Sequence, residues 1–331
     1  MDDLLLRVKG LCTYFHTEEG LVKAVDGIDF DLKRGETLGI VGESGCGKSV
    51  TALSVMQLIR PPRGRIAGGT IEYIRGNEII EITKLGIHSP EMRSIRGKEI
   101  AMIFQEPMTS LNPVYSIGEQ IMEAVILHQQ VDKREARKMA IQSLKEVGLS
   151  SPEQQVDWYP HQLSGGMRQR VMIAMALSCD PNLLIADEPT TALDVTIEAQ
   201  ILELMKGLQR THNMSIMLIT HNLGIIGEMS KRVIVMYLGK IVEIGKTDDI
   251  FYNPKHPYTR GLLRSIPTIG LKRRLNPIEG TVARMTELPH GCYFGPRCPR
   301  RMPICGEKEP PQFLVGDEQF AKCWLYEGGS V

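Results

Sequence analysis

The sequence has no run of about eighteen apolar residues, the length that a membrane-spanning helix requires. Its most apolar stretches are interrupted, as by Asp180 and by His221-Asn222, so no transmembrane helix is expected. An excess of either charge is missing too, since 39 Lys plus Arg balance 39 Asp plus Glu. No global basic field argues for nucleic acid, and no such partner is expected. A basic secretory leader is also lacking, because the chain opens on the acidic Met1-Asp2-Asp3. The expectation is a cytoplasmic protein that meets a membrane only through partners.

What is present fits a globular chain. Its 331 residues suggest two units, and 42% apolar with 24% charged residues is an ordinary soluble balance. From Lys255 onward there are 12 basic and 7 acidic residues, a net of +5, which leaves −5 for residues 1–254. Beyond Asn253 the sequence becomes rich in proline and cysteine. The reading is a domain over 1–254 and an extension over 255–331.

Hydrophobic patterning predicts an α/β fold. Leu4 to Val8 and Ile28 to Leu32 read as strands, and Leu38 to Val41 as a strand covered on both faces. Turns are expected at Pro61-Pro62-Arg63-Gly64 and Gly68-Gly69. Further strands are expected at Ile100 to Phe104, Leu183 to Ala186 and Ser215 to Thr220, with a hairpin over Val233 to Val242. Helical spacing covers Ile117 to about Gly148, the stretch after Ser164-Gly165-Gly166 to about Ser178, and Glu198 to Arg210.

Gly42-Glu43-Ser44-Gly45-Cys46-Gly47-Lys48-Ser49 follows a buried strand and opens a helix, the setting of a phosphate-binding loop. Glycines let backbone N–H groups turn inward as an anion nest, where the helix dipole also favours negative charge. Lys48 can reach the β- and γ-phosphates, and the Ser49 hydroxyl can bind Mg²⁺. Cys46 reads as a small tolerated residue within the loop. Such a loop says only nucleotide, so the remaining motifs decide.

Asp187 ends an apolar strand and Glu188 follows, which suits Mg²⁺ held through water and a polarised attacking water. Leu163-Ser164-Gly165-Gly166-Met167-Arg168-Gln169-Arg170 offers a second phosphate-binding helix start. One ATP needs only one such start per chain, so the second is expected to face a nucleotide on another subunit. At this point the chain resembles the ATP-binding-cassette (ABC) ATPases. The resemblance implies a P-loop fold with a RecA-like core, an antiparallel β subdomain and a helical subdomain inserted over about 107–164. It also implies roles for Gln105 as the Q-loop glutamine and Mg²⁺ ligand, and for His221 as the switch histidine. Ala192-Leu193-Asp194 is similar to the D-loop, and Phe15 to the adenine-stacking aromatic, with Tyr14 as the weaker candidate.

Met167 stands where the common family form has glutamine, as in the D-type ATPases of oligopeptide and dipeptide importers. Phe104-Gln105-Glu106-Pro107-Met108-Thr109-Ser110-Leu111-Asn112-Pro113, His256-Pro257-Tyr258-Thr259 and Cys292-Tyr293-Phe294-Gly295-Pro296-Arg297-Cys298-Pro299 resemble the same subfamily. The resemblance implies an ATPase on the cytoplasmic face of a membrane, driving di- or oligopeptide import. Nickel importers are close relatives, and soluble ABC ATPases of repair or translation form a more distant alternative. Implied partners are two membrane-spanning permease subunits, a second, nonidentical ATPase and, indirectly, an extracytoplasmic peptide-binding protein. The face near Glu106 to Gln120 would receive a permease coupling helix.

Cys292, Cys298, Cys305 and Cys323 are spaced Cys-x5-Cys-x6-Cys-x17-Cys. Structural zinc sites usually have one pair two to four residues apart, and no gap here is that short. Four thiolates on the four irons of a 4Fe–4S cluster accept a wider frame, and the resemblance implies such a cluster. Zinc and free thiols remain the alternatives.

Overall fold

The computed structural model describes residues 3–105, 110–191, 193–265 and 277–328. They form two compact units interleaved along the chain. The first contains the residues up to Leu32, Thr37–Lys84 and those from Ile219 onward; the second contains Lys33–Glu36 and Leu85–Leu218.

The first unit has the strands β1 (Leu4–Thr17), β2 (Gly20–Lys33), β3 (Thr37–Val41), β4 (Gly64–Arg75) and β5 (Glu78–Glu81). β1 and β2 are 14 residues each, far longer than the short apolar runs that mark them in sequence. They join β4 and β5 in a sheet of order β2-β1-β4-β5, with β4 antiparallel to both β1 and β5. Gly68-Gly69, expected as a turn, lies inside β4. The glycines serve an irregularity instead: the β1–β4 register shifts between Lys9 and Cys12. Gly69 has φ +84°, and a Cβ there would sit 2.3 Å from the Gly10 carbonyl oxygen, so only glycine passes.

A second sheet of the same unit runs through β3, β9 (Arg232–Tyr237), β10 (Lys240–Lys246), β12 (Phe320–Ala321) and β11 (Phe313–Leu314), each beside the next. β3 is parallel to β9, and all five of its residues are buried. β9 to β10 is the expected hairpin, turning at Leu238 and Gly239, both at positive φ. β12 extends this sheet by pairing antiparallel with β10. The proline-rich extension, where periodicity fades, is therefore ordered on β10. Its hub is Glu243 of β10, 1% exposed, which accepts from Lys255 N–H at 2.7 Å, His256 N–H at 2.8 Å and Gln319 Nε2 at 2.9 Å. Burial pushes its carboxyl above the usual range, opposed by these donors.

The second unit holds β6 (Ile100–Ile103), β7 (Leu183–Asp187) and nearly all of β8 (Ser215–Ile219), in the order β8-β7-β6. β6 and β7 are parallel, from Ile100 opposite Leu183 to Ile103 opposite Ala186. Its longer helices are Ile117–Gln129, Lys133–Glu146, Gly165–Leu177 and Val195–His212. The stretch expected as helix from Ile117 to Gly148 breaks in two at Gln130, which adopts φ +55°, and restarts at Asp132. The Asp132 side chain caps the second helix by accepting from Glu135 N–H. Among the described residues no helix is long and apolar enough to cross a membrane.

Candidate functional site

In the first unit β3 ends at Val41 and delivers Gly42 to Ser49 to the start of the helix Lys48–Val55. Gly47 caps this helix at φ +104°, and a Cβ there would meet the Ala24 carbonyl oxygen at 2.2 Å. That backbone leaves the first-turn N–H groups of Lys48 and Ser49 without side-chain caps, as an anion site requires. Lys48 is 6% exposed, and its ammonium donates to the carbonyls of Gly42 at 2.8 Å and Glu43 at 3.1 Å. The positive charge is thus curled into the loop it serves. Ser44 and Gly45 are exposed on the rim, while Gly42 and Cys46 are buried. Burial pushes the Cys46 thiol up despite the pull of Lys48, so it sits in the loop as a neutral group.

His221 belongs to this unit as well. Thr220 N–H donates to Ile40 O at 3.3 Å, which places exposed His221 beside the end of β3, where the loop begins. Phe15 lies on β1, opposite Gly64 of β4. Tyr14 turns its hydroxyl into Asp26, at 2.6 Å, where Tyr293 at 2.9 Å and Lys240 at 3.0 Å also converge. Burial would raise the Asp26 carboxyl, but the bonds from Tyr14 and Lys240 outweigh it and hold it below the usual range.

In the second unit Asp187 closes β7 and is 4% exposed. Glu188 follows at φ +50°, a left-handed backbone that non-glycine residues seldom adopt. Its Oε2 accepts from Gln105 Nε2 at 3.0 Å and from Thr191 Oγ1 at 2.9 Å. The fold therefore brings Gln105, just past β6, onto the acid just past β7. Thr191 has no motif signal, and its part was not legible in the sequence.

Ser164 caps the helix Gly165–Leu177, its hydroxyl oxygen accepting from Met167 N–H at 3.3 Å. The hydroxyl proton and the Gly165 and Gly166 amides are left to the helix start, where Ser164 and Gly165 are exposed. Asp194 caps the helix Val195–His212 through Ile197 N–H at 3.0 Å. Ala192 lies outside the described residues, as do Glu106, Pro107, Met108 and Thr109 of the expected coupling face.

The four tail cysteines share one neighbourhood. Cys292 N–H donates to Cys305 O at 2.9 Å, and the turn Gly295–Arg297 carries the chain from Cys292 to Cys298. Cys305 and Cys323 are buried. Burial, reinforced by the other cysteines of the set, pushes the Cys292 and Cys323 thiols up to about 11 each. Cys292 and Cys298 are half-buried, so the four thiols lie partly or wholly out of water. Among the described residues, however, no three His, Cys, Asp or Glu side chains are gathered closely enough to hold one ion.

One arrangement was invisible in the sequence. Arg297, from the cysteine-bearing tail, forms a two-point ion pair with Glu43 of the phosphate loop, at 2.9 and 3.3 Å. Some 254 positions separate the two, and no local pattern announces the pairing.

Comparison with known proteins places this geometry. The family model for ABC transporters matches residues 25–191, and the one for the C-terminal region of oligopeptide/dipeptide transporters matches residues 242–305. The oligopeptide transport ATP-binding protein AppD of Bacillus subtilis is 52% identical over 324 residues, covering 98% of this chain and 97% of that protein. The dipeptide transport ATP-binding protein DppD of the same organism is 49% identical, covering 98% and 95%. Among solved structures, a dimeric ATP-binding cassette in a post-hydrolysis state bound to ADP and Pi is 28% identical. It covers 73% of this chain and 98% of its own, with a TM-score of 0.63. The cassette CbiO1 of Clostridium perfringens, part of an ABC transporter complex, is also 28% identical, covering 76% and 92% at a TM-score of 0.61. A phosphate loop, a paired acid and glutamine, a capped Ser-Gly-Gly helix and a matching tail agree with these likenesses, and the chain belongs to the oligopeptide/dipeptide branch of the ABC transporter ATPases.

Proposed function

We propose that this chain is the ATP-hydrolysing subunit of a membrane importer for di- or oligopeptides, working at the cytoplasmic face. The observation that carries the reading is near full-length identity of about half to peptide-transport ATP-binding proteins, spanning both cassette and tail. Lys48, Ser49 and the loop amides of Gly42, Ser44, Gly45, Cys46 and Gly47 hold the phosphates. Phe15 stacks on adenine, and Asp187, Ser49 and Gln105 serve Mg²⁺. Glu188 takes the proton of the attacking water, and His221 senses the γ-phosphate from beside the loop. The curled position of Lys48 supports its role, because its charge is stored on carbonyls that a triphosphate can replace.

Ser164, Gly165 and Gly166 meet the nucleotide of a second, nonidentical ATPase subunit. The exposure of Ser164 and Gly165 at a capped helix start supports this. Two permease subunits dock on the second unit, where Val114 and Tyr115 stand 70% and 52% exposed. An extracytoplasmic peptide-binding protein then acts only through those permeases. Cys292, Cys298, Cys305 and Cys323 are the residues that would hold a 4Fe–4S cluster, which would supply a covalent tie across the tail and one-electron redox chemistry.

The experiment is reconstitution with permease subunits, a partner ATPase and a peptide-binding protein of the same transporter. ATP hydrolysis stimulated by peptide-loaded binding protein supports the reading. Stimulation by a nickel chelate instead, or full activity with no membrane subunit, rejects the peptide assignment.

A further inference from the structure

The tail does more than follow the cassette. Arg297 closes the turn Gly295–Arg297, one residue before Cys298, and its side chain is 6% exposed. Besides the Glu43 carboxylate, it donates to Tyr237 Oη at 3.3 Å, Glu279 O at 3.1 Å and Ile278 O at 3.3 Å. Tyr237, Tyr258 and Phe294 pack ring against ring beneath it, with centroids 4.7 to 5.4 Å apart. Fully buried Tyr258 completes the set, since its hydroxyl accepts from Glu43 N–H at 2.9 Å.

Glu43 is held at its carbonyl by Lys48 at 3.1 Å and by Cys46 N–H at 3.3 Å, both from the loop itself. From outside the loop it is held at its N–H by Tyr258 and at its carboxylate by Arg297. When Lys48 turns to a triphosphate its hold on the Glu43 carbonyl is lost, and the two anchors from outside the loop remain. The ion pair also neutralises a carboxylate that would otherwise face an incoming polyanion. Both effects favour the nucleotide-bound loop, and both come from residues beyond 254.

We propose that Arg297 and Tyr258 are positioning residues for the phosphate loop, acting through Glu43, so that the cysteine-bearing tail sets the chain's affinity for MgATP. The inference rests on the nucleotide reading above. It predicts a binding defect, not a chemical one. The full-length chain is titrated with trinitrophenyl-ATP and Mg²⁺, and KM and kcat are read in the assembled transporter. Arg297→Met is expected to raise Kd and KM about tenfold while kcat stays within about twofold. Arg297→Lys recovers part of the loss, because it restores the charge without the two-point geometry. In a Glu43→Gln background, Arg297→Met adds less than about twofold, since no charge is left to neutralise. Tyr258→Phe, which removes only the acceptor for Glu43 N–H, raises Kd about threefold.

Parent-like affinity in Arg297→Met, or an equal loss with and without the Glu43 carboxylate, overturns the proposal. If thermal melting shows that Arg297→Met does not fold, Arg297→Lys and Tyr258→Phe decide: parent-like affinity in both overturns it, and weakened binding in both upholds it. Failure of the unsubstituted chain to bind the probe instead overturns the nucleotide reading, which separates the two failures.

Discussion

Gln105 donates to the Glu188 carboxylate at 3.0 Å across 83 positions of sequence, and Thr191 donates to the same oxygen at 2.9 Å. The acid that follows β7 is thus aimed by two donors and one unusual backbone angle. A base for water must be oriented, and these two donors fix the direction of the carboxylate.

Glu188→Gln is expected to keep MgATP binding while lowering hydrolysis about 10²–10⁴-fold, the usual range for losing a positioned base. The measurement is ATPase rate beside nucleotide affinity in the assembled complex. A parent-like rate would reject the role.

Lys48→Ala should do the opposite, weakening nucleotide binding itself. The ammonium is the single strong positive charge inside the loop, and the Gly42 and Glu43 carbonyls that it serves would be left facing the phosphates. Equilibrium binding of MgATP checks this, and unchanged affinity would remove Lys48 from the site.

Ser164 caps its helix, and the proposed contact with a partner's nucleotide would be a second, separable duty. Ser164→Ala should lower stability by about 1 kcal/mol through loss of the helix cap. Ser164→Asp should restore the melting temperature, because aspartate caps well, yet leave ATPase low in the complex because it adds negative charge at a phosphate-binding helix start. Recovery of both properties by aspartate would confine Ser164 to a structural part.

His256 gives a pH test. It is 1% exposed, its Nδ1 accepts from Tyr258 N–H at 3.1 Å, and burial pushes its pKa down to about 3. A folded-state pKa below the unfolded value of about 6.5 means that the unfolded chain binds more protons in acid. Its contribution is whole above pH 6.5 and is lost as pH falls from there towards 3. His256→Asn keeps an acceptor and cannot be protonated, so the variant should melt less steeply over that window. At pH 4.5 the relative gain should be about 2–3 kcal/mol, two pH units of linkage. Identical acid limbs in the two proteins would refute this.

Protein prepared without oxygen should be brown and carry about four irons per chain if the four cysteines ligate one cubane cluster. Cys305→Ser should lose the colour and make the tail protease-sensitive, while Cys46→Ser, in the phosphate loop, should leave the colour unchanged. Stoichiometric zinc without iron or sulfide would reject the cluster.

The parts legible in advance are those governed by neighbours in sequence. Leu38 to Val41 and Leu183 to Ala186 announce buried parallel strands because nothing polar interrupts them, and they appear as Thr37–Val41 and Leu183–Asp187. The Gly42 to Ser49 loop is legible because its chemistry needs glycine at fixed offsets. β4 escaped notice because Gly68-Gly69 imitates a turn, whereas the pair serves a bulge against Gly10 that depends on a strand 60 residues away. The grip of Arg297 on Glu43 escaped for the same reason on a larger scale. Long-range pairing leaves no period and no local composition to read.

β12 lies along β10, with Ala321 opposite Glu243 and Phe320 opposite Ile244. A premature stop near residue 254 would strip away this strand together with every donor found on Glu243. The shortened product would carry an open strand edge on β10 and expose the surface that the tail now covers, both hallmarks of substrates for cellular proteases and of aggregates. The last quarter of the gene is therefore under the same quality-control pressure as the ATP-binding portion, and a late nonsense allele should behave as a null for protein abundance.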